Sequence, residues 1–130
     1  MFLQFTDEKE RILYGGSAFL ELQYCNAKQG TSVKNLCAVS NIRHGANDSL
    51  YIYDDDMEVF YSAYAPLLGE AFYNNGRCGK IDIGGINYFS PQAAALAAKR
   101  IAAEKPIEHE IFLTWIQKAV NRNGFYLLGL

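Results

Sequence analysis

Hydrophobic positions along the chain follow two periods, and the change from one to the other divides it into strands and helices. Residues 2–5 and 11–14 are short apolar-rich runs on either side of Thr6-Asp7-Glu8-Lys9-Glu10, a pattern that predicts a hairpin turning at Asp7-Glu8-Lys9. Gly15-Gly16-Ser17 punctuates, and residues 18–25 then set Phe19, Leu20, Leu22 and Tyr24 against Glu21 and Gln23. From Phe19 onward this is the alternation of a half-buried strand, with a short helix as the alternative. Residues 26–31 are a polar loop, and residues 32–42 carry Val33, Leu36, Cys37 and Val39 at mixed spacing that fixes no element type. Residues 44–49 are loop, and residues 50–53, Leu-Tyr-Ile-Tyr, are a strand by their aromatic and β-branched content.

Beyond this strand the period lengthens. Met57, Phe60, Tyr61, Tyr64, Leu67 and Leu68 recur every three to four residues and share one helical face. Asp54, Asp55 and Asp56 stand just ahead, where carboxylates can cap free N–H groups and suit the helix dipole. Pro66 predicts a break near Ala65, with a second short helix to Tyr73. Asn74-Asn75-Gly76 is a turn, Lys80-Ile81-Asp82-Ile83 alternates as a strand, and Gly84-Gly85 marks a bulge or bend before Ile86-Asn87-Tyr88-Phe89. Ser90-Pro91 is an N-cap followed by proline at the first helical position, opening an Ala-rich helix to about Glu104. Lys105-Pro106 ends it and begins another, striped with Ile107, Ile111, Phe112, Trp115, Ala119 and Val120 and carrying Glu108 and Glu110 in its first turn. Gly124 suits a C′ position, and the apolar residues 125–130 read as a buried C-terminal strand. The sum is a single α+β domain over residues 1–130, with a mostly antiparallel sheet packed against two to four helices.

Composition narrows the class. Half of the 130 residues are hydrophobic and 14% are aromatic, enough apolar surface to fold one domain without disulfides or a structural metal and to exclude intrinsic disorder. A net charge of −2 offers phosphate no attraction, which disfavours a basic nucleic-acid binder. The first eight residues reach acids without a basic n-region, unlike a cleaved signal peptide. No stretch approaches the roughly 20 apolar residues of a membrane span. Cys25, Cys37 and Cys78 are odd in number and lack C-x-x-C spacing, so the reading is three reduced, buried thiols in a cytoplasmic protein.

Candidate chemistry is sparse. His44 and His109 have no His or Cys partner at ligand spacing, and His109, between Glu108 and Glu110, reads as a surface helix residue. His44 shares a loop with Asp48, a pairing that can orient a general base, but Ser40, Ser49 and the cysteines lack the context of a nucleophile. Asp54-Asp55-Asp56-x-Glu58 lacks the D-x-D-x-D-G loop of a calcium-binding EF-hand. Gly15-Gly16-Ser17 and Gly84-Gly85 match neither a phosphate loop nor a dinucleotide fingerprint. No catalytic residue, metal ligand or cofactor is assigned.

The distribution of charge is more telling than its total. Asp48, Asp54, Asp55, Asp56, Glu58 and Glu70 lie between His44 and Gly76 with no Lys or Arg, so this segment carries −6 and the remainder +4. It also holds Tyr51, Tyr53, Phe60, Tyr61, Tyr64, Phe72 and Tyr73. Carboxylates steer association and tyrosine supplies amphipathic anchor area, so the six acids and Tyr61 form a candidate surface for a basic protein partner. The competing arrangement turns the aromatics to the core and the acids to water. Two other classes stay open: a small enzyme using His44 with Asp48 or the cluster from Asp54 to Glu58 with a divalent ion, and a homo-oligomeric adaptor exposing an apolar patch near Trp115 or the Tyr-rich helix.

Met57-Glu58-x-Phe60-Tyr61 with Tyr64, the run from Gly79 through Ile83, Gly85 and Asn87 to Ser90, then Trp115-Ile116 and Asn123-Gly124-Phe125-Tyr126 form a further pattern. Over roughly residues 50–130 it resembles small bacterial immunity proteins of contact-dependent growth inhibition and related polymorphic toxin systems. The resemblance implies a cytosolic, non-enzymatic protein that binds one cognate toxin domain and blocks its active site. Nuclease toxins with basic clefts would match the acidic segment.

Overall fold

A computed structural model of the chain describes residues 1–16, 18–43 and 47–129. The elements run β1 (Phe2–Leu3), α1 (Glu8–Gly15), β2 (Phe19–Tyr24), α2 (Val33–Leu36), β3 (Leu50–Tyr53), α3 (Met57–Leu68), β4 (Ala71–Phe72), β5 (Cys78–Gly79), β6 (Ile86–Phe89), α4 (Pro91–Glu104), α5 (His109–Val120) and β7 (Phe125–Leu128). Short 3-10 turns cover Val39–Asn41 and Asp54–Asp56. All strand pairs are antiparallel in one seven-stranded sheet ordered β1-β3-β2-β7-β6-β4-β5, which makes the domain α+β. Both edge strands are only two residues long, a length that gives little template for edge-to-edge pairing. None of the described helices is long and apolar enough to cross a membrane.

Pairing register decides which side chains meet. Leu20 faces Ile52, Leu22 lies between Leu50 and Leu127, and Tyr24 faces Phe125, so one face of the sheet presents a continuous apolar surface. α3, α4 and α5 cover it. Phe60, Tyr64 and Leu68 from α3, Ala94, Ala97 and Ile101 from α4, and Phe112, Trp115, Ile116 and Ala119 from α5 complete the principal core. The buried alanines of α4 are small enough for α5 to lie close against it, as the Ala-rich sequence predicts. Trp115 stacks on Tyr24 at 4.2 Å between centroids and donates its indole N–H to the Asp48 carbonyl at 2.9 Å.

The opposite face is covered too, which corrects the half-buried reading of β2. All six β2 residues are buried, because α1 packs Tyr14 at its end against Phe5 and Phe19 while α2 and the Val39–Asn41 turn bring Leu36, Cys37 and Ile42 onto Tyr88, Tyr126 and Leu128. Glu21 and Gln23 therefore lie inside, and burial is tolerated because they are paired. Glu21 accepts from Ser49 Oγ at 2.6 Å and from Gln23 Nε2 at 2.8 Å, and Gln23 also bonds both the N–H and the carbonyl of Arg43.

Other expectations also change. Residues 11–14 are helical, not the second strand of a hairpin. Asp7 caps α1 by accepting from Glu10 N at 2.8 Å, while Glu10 reaches back past the cap to accept from the Thr6 N–H and hydroxyl, a variant of the capping box displaced by one residue. Pro66 does not break α3: it is the tenth of twelve residues, on an exposed side, and the helix runs on to Leu68 before Gly69 ends it at φ +75°. Residues 71–72, expected in a second helix, pair as β4 with β6 and, through the predicted Asn74-Asn75-Gly76 turn, with β5. Residues 80–83 are not a strand, because the Asn87 side chain takes the Asp82 N–H and carbonyl at 2.7 Å each and folds this loop across the sheet end. Asn87 is fully buried, and it also donates to the Leu127 carbonyl at 3.0 Å.

In the Ala-rich helix, Ser90 caps as expected, accepting from Ala93 N at 3.1 Å. The expected stripe of α5 is shifted: Ile107 precedes the helix and, like Ile111, is about half exposed, while Ile116 joins the buried face. Asn121 caps α5, and Gly124 returns its N–H to the Ala119 carbonyl at φ +78°. Cys25 and Cys37 are buried, but Cys78 on the β5 edge is exposed, contrary to the expected burial of all three.

Candidate partner-binding surface

β3 ends at Tyr53 and the chain turns at once through Asp54–Asp56 into α3. The turn is 3-10, so the Met57 N–H bonds the Asp54 carbonyl. No side chain caps α3, which corrects the expectation that the aspartates do so. The carboxylates of Asp54 and Asp55 project into solvent, Asp56 is half-buried, and Glu58 stands exposed on the first turn of α3. They still suit the positive end of the helix dipole. Among the described residues, no ion pair engages Asp54, Asp55, Asp56 or Glu58.

Only the row Phe60, Tyr64, Leu68 of α3 is buried, which leaves Glu58, Val59, Ser62 and Pro66 outward. Along this side runs a groove of about 680 Å³ bounded by Tyr61, Ala65 and Pro66 of α3, Glu70 beyond its end, and Lys80 and Ile81 of the loop before β6. Tyr61 and Glu70 thus come together, and Glu70 and Lys80 put both signs of charge on the groove.

Asp48 lies elsewhere. It precedes β3 and Asp54 follows it, so the strand separates them by about 20 Å at roughly 3.3 Å per residue. Asp48 pairs with Arg122 at 3.2 Å, and Arg122 in turn lies over the Tyr24 ring at 4.4 Å. Burial pushes the Tyr24 hydroxyl up to about 12, with Arg122 pulling it down and Asp48 raising it.

The aromatics of the segment divide. Tyr51, Phe60 and Tyr64 are buried; Tyr53, Tyr61, Phe72 and Tyr73 are half-buried. Burial raises the Tyr64 hydroxyl well above its ordinary value, and the Glu108 carboxylate adds to the effect. Its proton goes to the Ile107 carbonyl, so Tyr64 is committed to the core. At the two places suggested for an oligomer contact, Trp115 and the Phe60, Tyr64 and Leu68 row of the Tyr-rich helix are buried, while Ile111, one turn before Trp115, and Val59 on that helix are about half exposed.

His44 lies outside the described residues, and so does its pairing with Asp48. Ser49 is fully buried and held by Glu21. His109 is half-buried at the start of α5. Among the described residues no three His, Cys, Asp or Glu side chains converge to hold a metal ion.

One surface escaped sequence reasoning. α1 has no buried residue, and Ile12, Leu13 and Tyr14 on it are 53%, 87% and 56% exposed. The D-x-x-E signature of Asp7 and Glu10 marks the helix start, and it is the signal by which this surface could have been found. Comparison with protein-family models, curated proteins and solved structures returned no match.

Proposed function

We propose that this chain is a toxin-neutralising immunity protein, a cytosolic non-enzymatic inhibitor that binds a cognate basic toxin domain through its acidic corner and blocks that domain's active site. The observation that carries the reading is the cluster of Asp54, Asp55, Asp56 and Glu58, engaged in no ion pair among the described residues and set on the end of β3 and the start of a helix packed into the core. Such a cluster attracts a cationic cleft over about one Debye length and fixes its register on contact. The groove beside it, with Tyr61 on one wall and Glu70 at one end, offers an amphipathic side chain next to the charge. A nuclease is the toxin class this favours, because a cleft built to hold phosphates is cationic.

The test uses the terminal domain of the protein encoded next to this chain in its genome. Expressed alone, that domain should arrest growth. Co-expression of this chain should restore growth, and the purified pair should form a stable complex. Continued arrest with no complex by sedimentation would remove the proposal.

A further inference from the structure

α1 and the acidic turn are one continuous surface. Tyr14 meets Tyr53 edge-to-face at 5.6 Å, Gly15 lies beneath the Tyr53 ring, and the Asp54 N–H bonds the Ala18 carbonyl at 3.0 Å. The exposed Tyr14 therefore adjoins the turn that follows Tyr53, and the exposed Ile12 and Leu13 precede it on the same helix. Arg11 is turned inward, donating to the Gly16 carbonyl at 3.1 Å. Asp7, Glu8, Glu10, Asp54, Asp55 and Asp56 against Lys9 and Arg11 leave −4 on this corner. An apolar centre with a predominantly acidic rim is the arrangement of a binding hot spot, where large side chains are desolvated and peripheral charges select the partner.

We propose that Ile12, Leu13 and Tyr14 of α1 form the apolar anchor of the interface with the basic toxin domain, seated against an apolar spot ringed by that partner's Lys and Arg residues. This rests on the immunity reading above and extends it to a second element on the other face of the sheet. A second copy of this chain is a poor occupant, because a two-fold contact sets the same patch against itself and brings −4 against −4. A cationic partner turns the same charges into attraction.

The experiment compares wild-type protein, Leu13→Asp and the triple reversal of Asp54, Asp55 and Glu58 to Lys against the purified neighbouring-frame domain. Leu13 is 87% exposed, so its substitution leaves the fold intact, which thermal unfolding checks; Leu13→Ser serves as a second variant without added charge. Both Leu13 variants should weaken binding at least about 30-fold, chiefly through faster dissociation, while the triple reversal should slow association. Leu13 variants that bind like wild type, beside a weakened triple reversal, overturn the anchor and leave the immunity reading standing. Loss of a wild-type dimer on Leu13 substitution, with the toxin contact unchanged, assigns the patch to a second copy and overturns it too. If wild type itself does not bind the domain, the immunity reading fails and the anchor falls with it.

Discussion

Tyr53, the last residue of β3, lies edge-to-face against Tyr14 of α1 with centroids 5.6 Å apart, and this pair fastens a helix that buries none of its own residues. The Tyr53 ring also sits where a Cβ on Gly15 would fall, 2.2 Å from Cε1. α1 is therefore held by the aromatic group of Phe5, Tyr14, Phe19 and Tyr53, its Asp7 cap and the Arg11 contact to Gly16. An eight-residue helix is marginal in isolation, so its order depends on these contacts.

Tyr53→Ala should loosen α1 selectively. Amide hydrogen exchange over residues 11–16 should accelerate at least about tenfold, with little change in β2 or β7, because the lost contact is local. Uniform acceleration through the sheet would mean that Tyr53 is part of the global core.

Gly124→Ala should be among the most damaging single changes. Gly124 has φ +78°, and a Cβ there would lie 2.0 Å from the Phe89 carbonyl oxygen, with backbone on both sides unable to yield. The expected cost is about 3 kcal/mol or more, read from denaturant unfolding followed by the fluorescence of the single Trp. A loss below about 1 kcal/mol would contradict the closeness of the β6–β7 approach.

Alkaline pH should unfold the protein cooperatively. Burial pushes Tyr24 and Tyr51 from 10.0 up to about 12, the Glu21 carboxylate adding to the rise at Tyr51, and Tyr64, Tyr88 and Tyr126 are raised further by burial. The unfolded chain loses these protons first, so the associated stability is intact below pH 10 and declines as pH rises through about 12. Tyrosinate absorbance should rise gradually for exposed rings and then jump with loss of secondary structure. Full ionisation at pH 11 with the fold retained would contradict the burial.

Thiol reactivity should separate the cysteines. Cys25 and Cys37 are buried, and burial, with Cys25 beside it, pushes the Cys37 thiol up to about 11. Cys78 is exposed at the sheet edge. A disulfide reagent at neutral pH should titrate one thiol in the native protein and three after denaturation. Three fast native thiols would contradict the packing of α2 over the sheet.

Strong local grammar made parts of this fold readable. Ser90-Pro91 and the Ala-rich run gave α4 both its start and its close approach to α5, and the period of Phe60, Tyr64 and Leu68 marked α3. α1 was misread for a physical reason: a helix without a buried face has no apolar period, and its contiguous Ile12, Leu13 and Tyr14 imitate a strand. Its Asp7 and Glu10 cap was the better signal. Residues 80–83 alternate like a strand, yet Asn87, five positions along from Asp82, claims the backbone groups that a strand would pair. The six acids were legible as a charge segment, but their placement was not. The length of β3 separates Asp48 at one end from Asp54–Asp56 at the other.

Capture of a basic protein by the acidic corner, as proposed, depends on the charge of that corner. Its most direct measurement is stopped-flow association with the purified neighbouring-frame domain, comparing wild type with the Asp54, Asp55 and Glu58 to Lys reversal at about 0.02 M and about 0.5 M salt. Association should be fast for wild type at low salt and at least about tenfold slower for the reversal, with the gap largely closed at high salt. Equal association rates at low salt, in a reversed protein that unfolds at the wild-type temperature, would contradict the account.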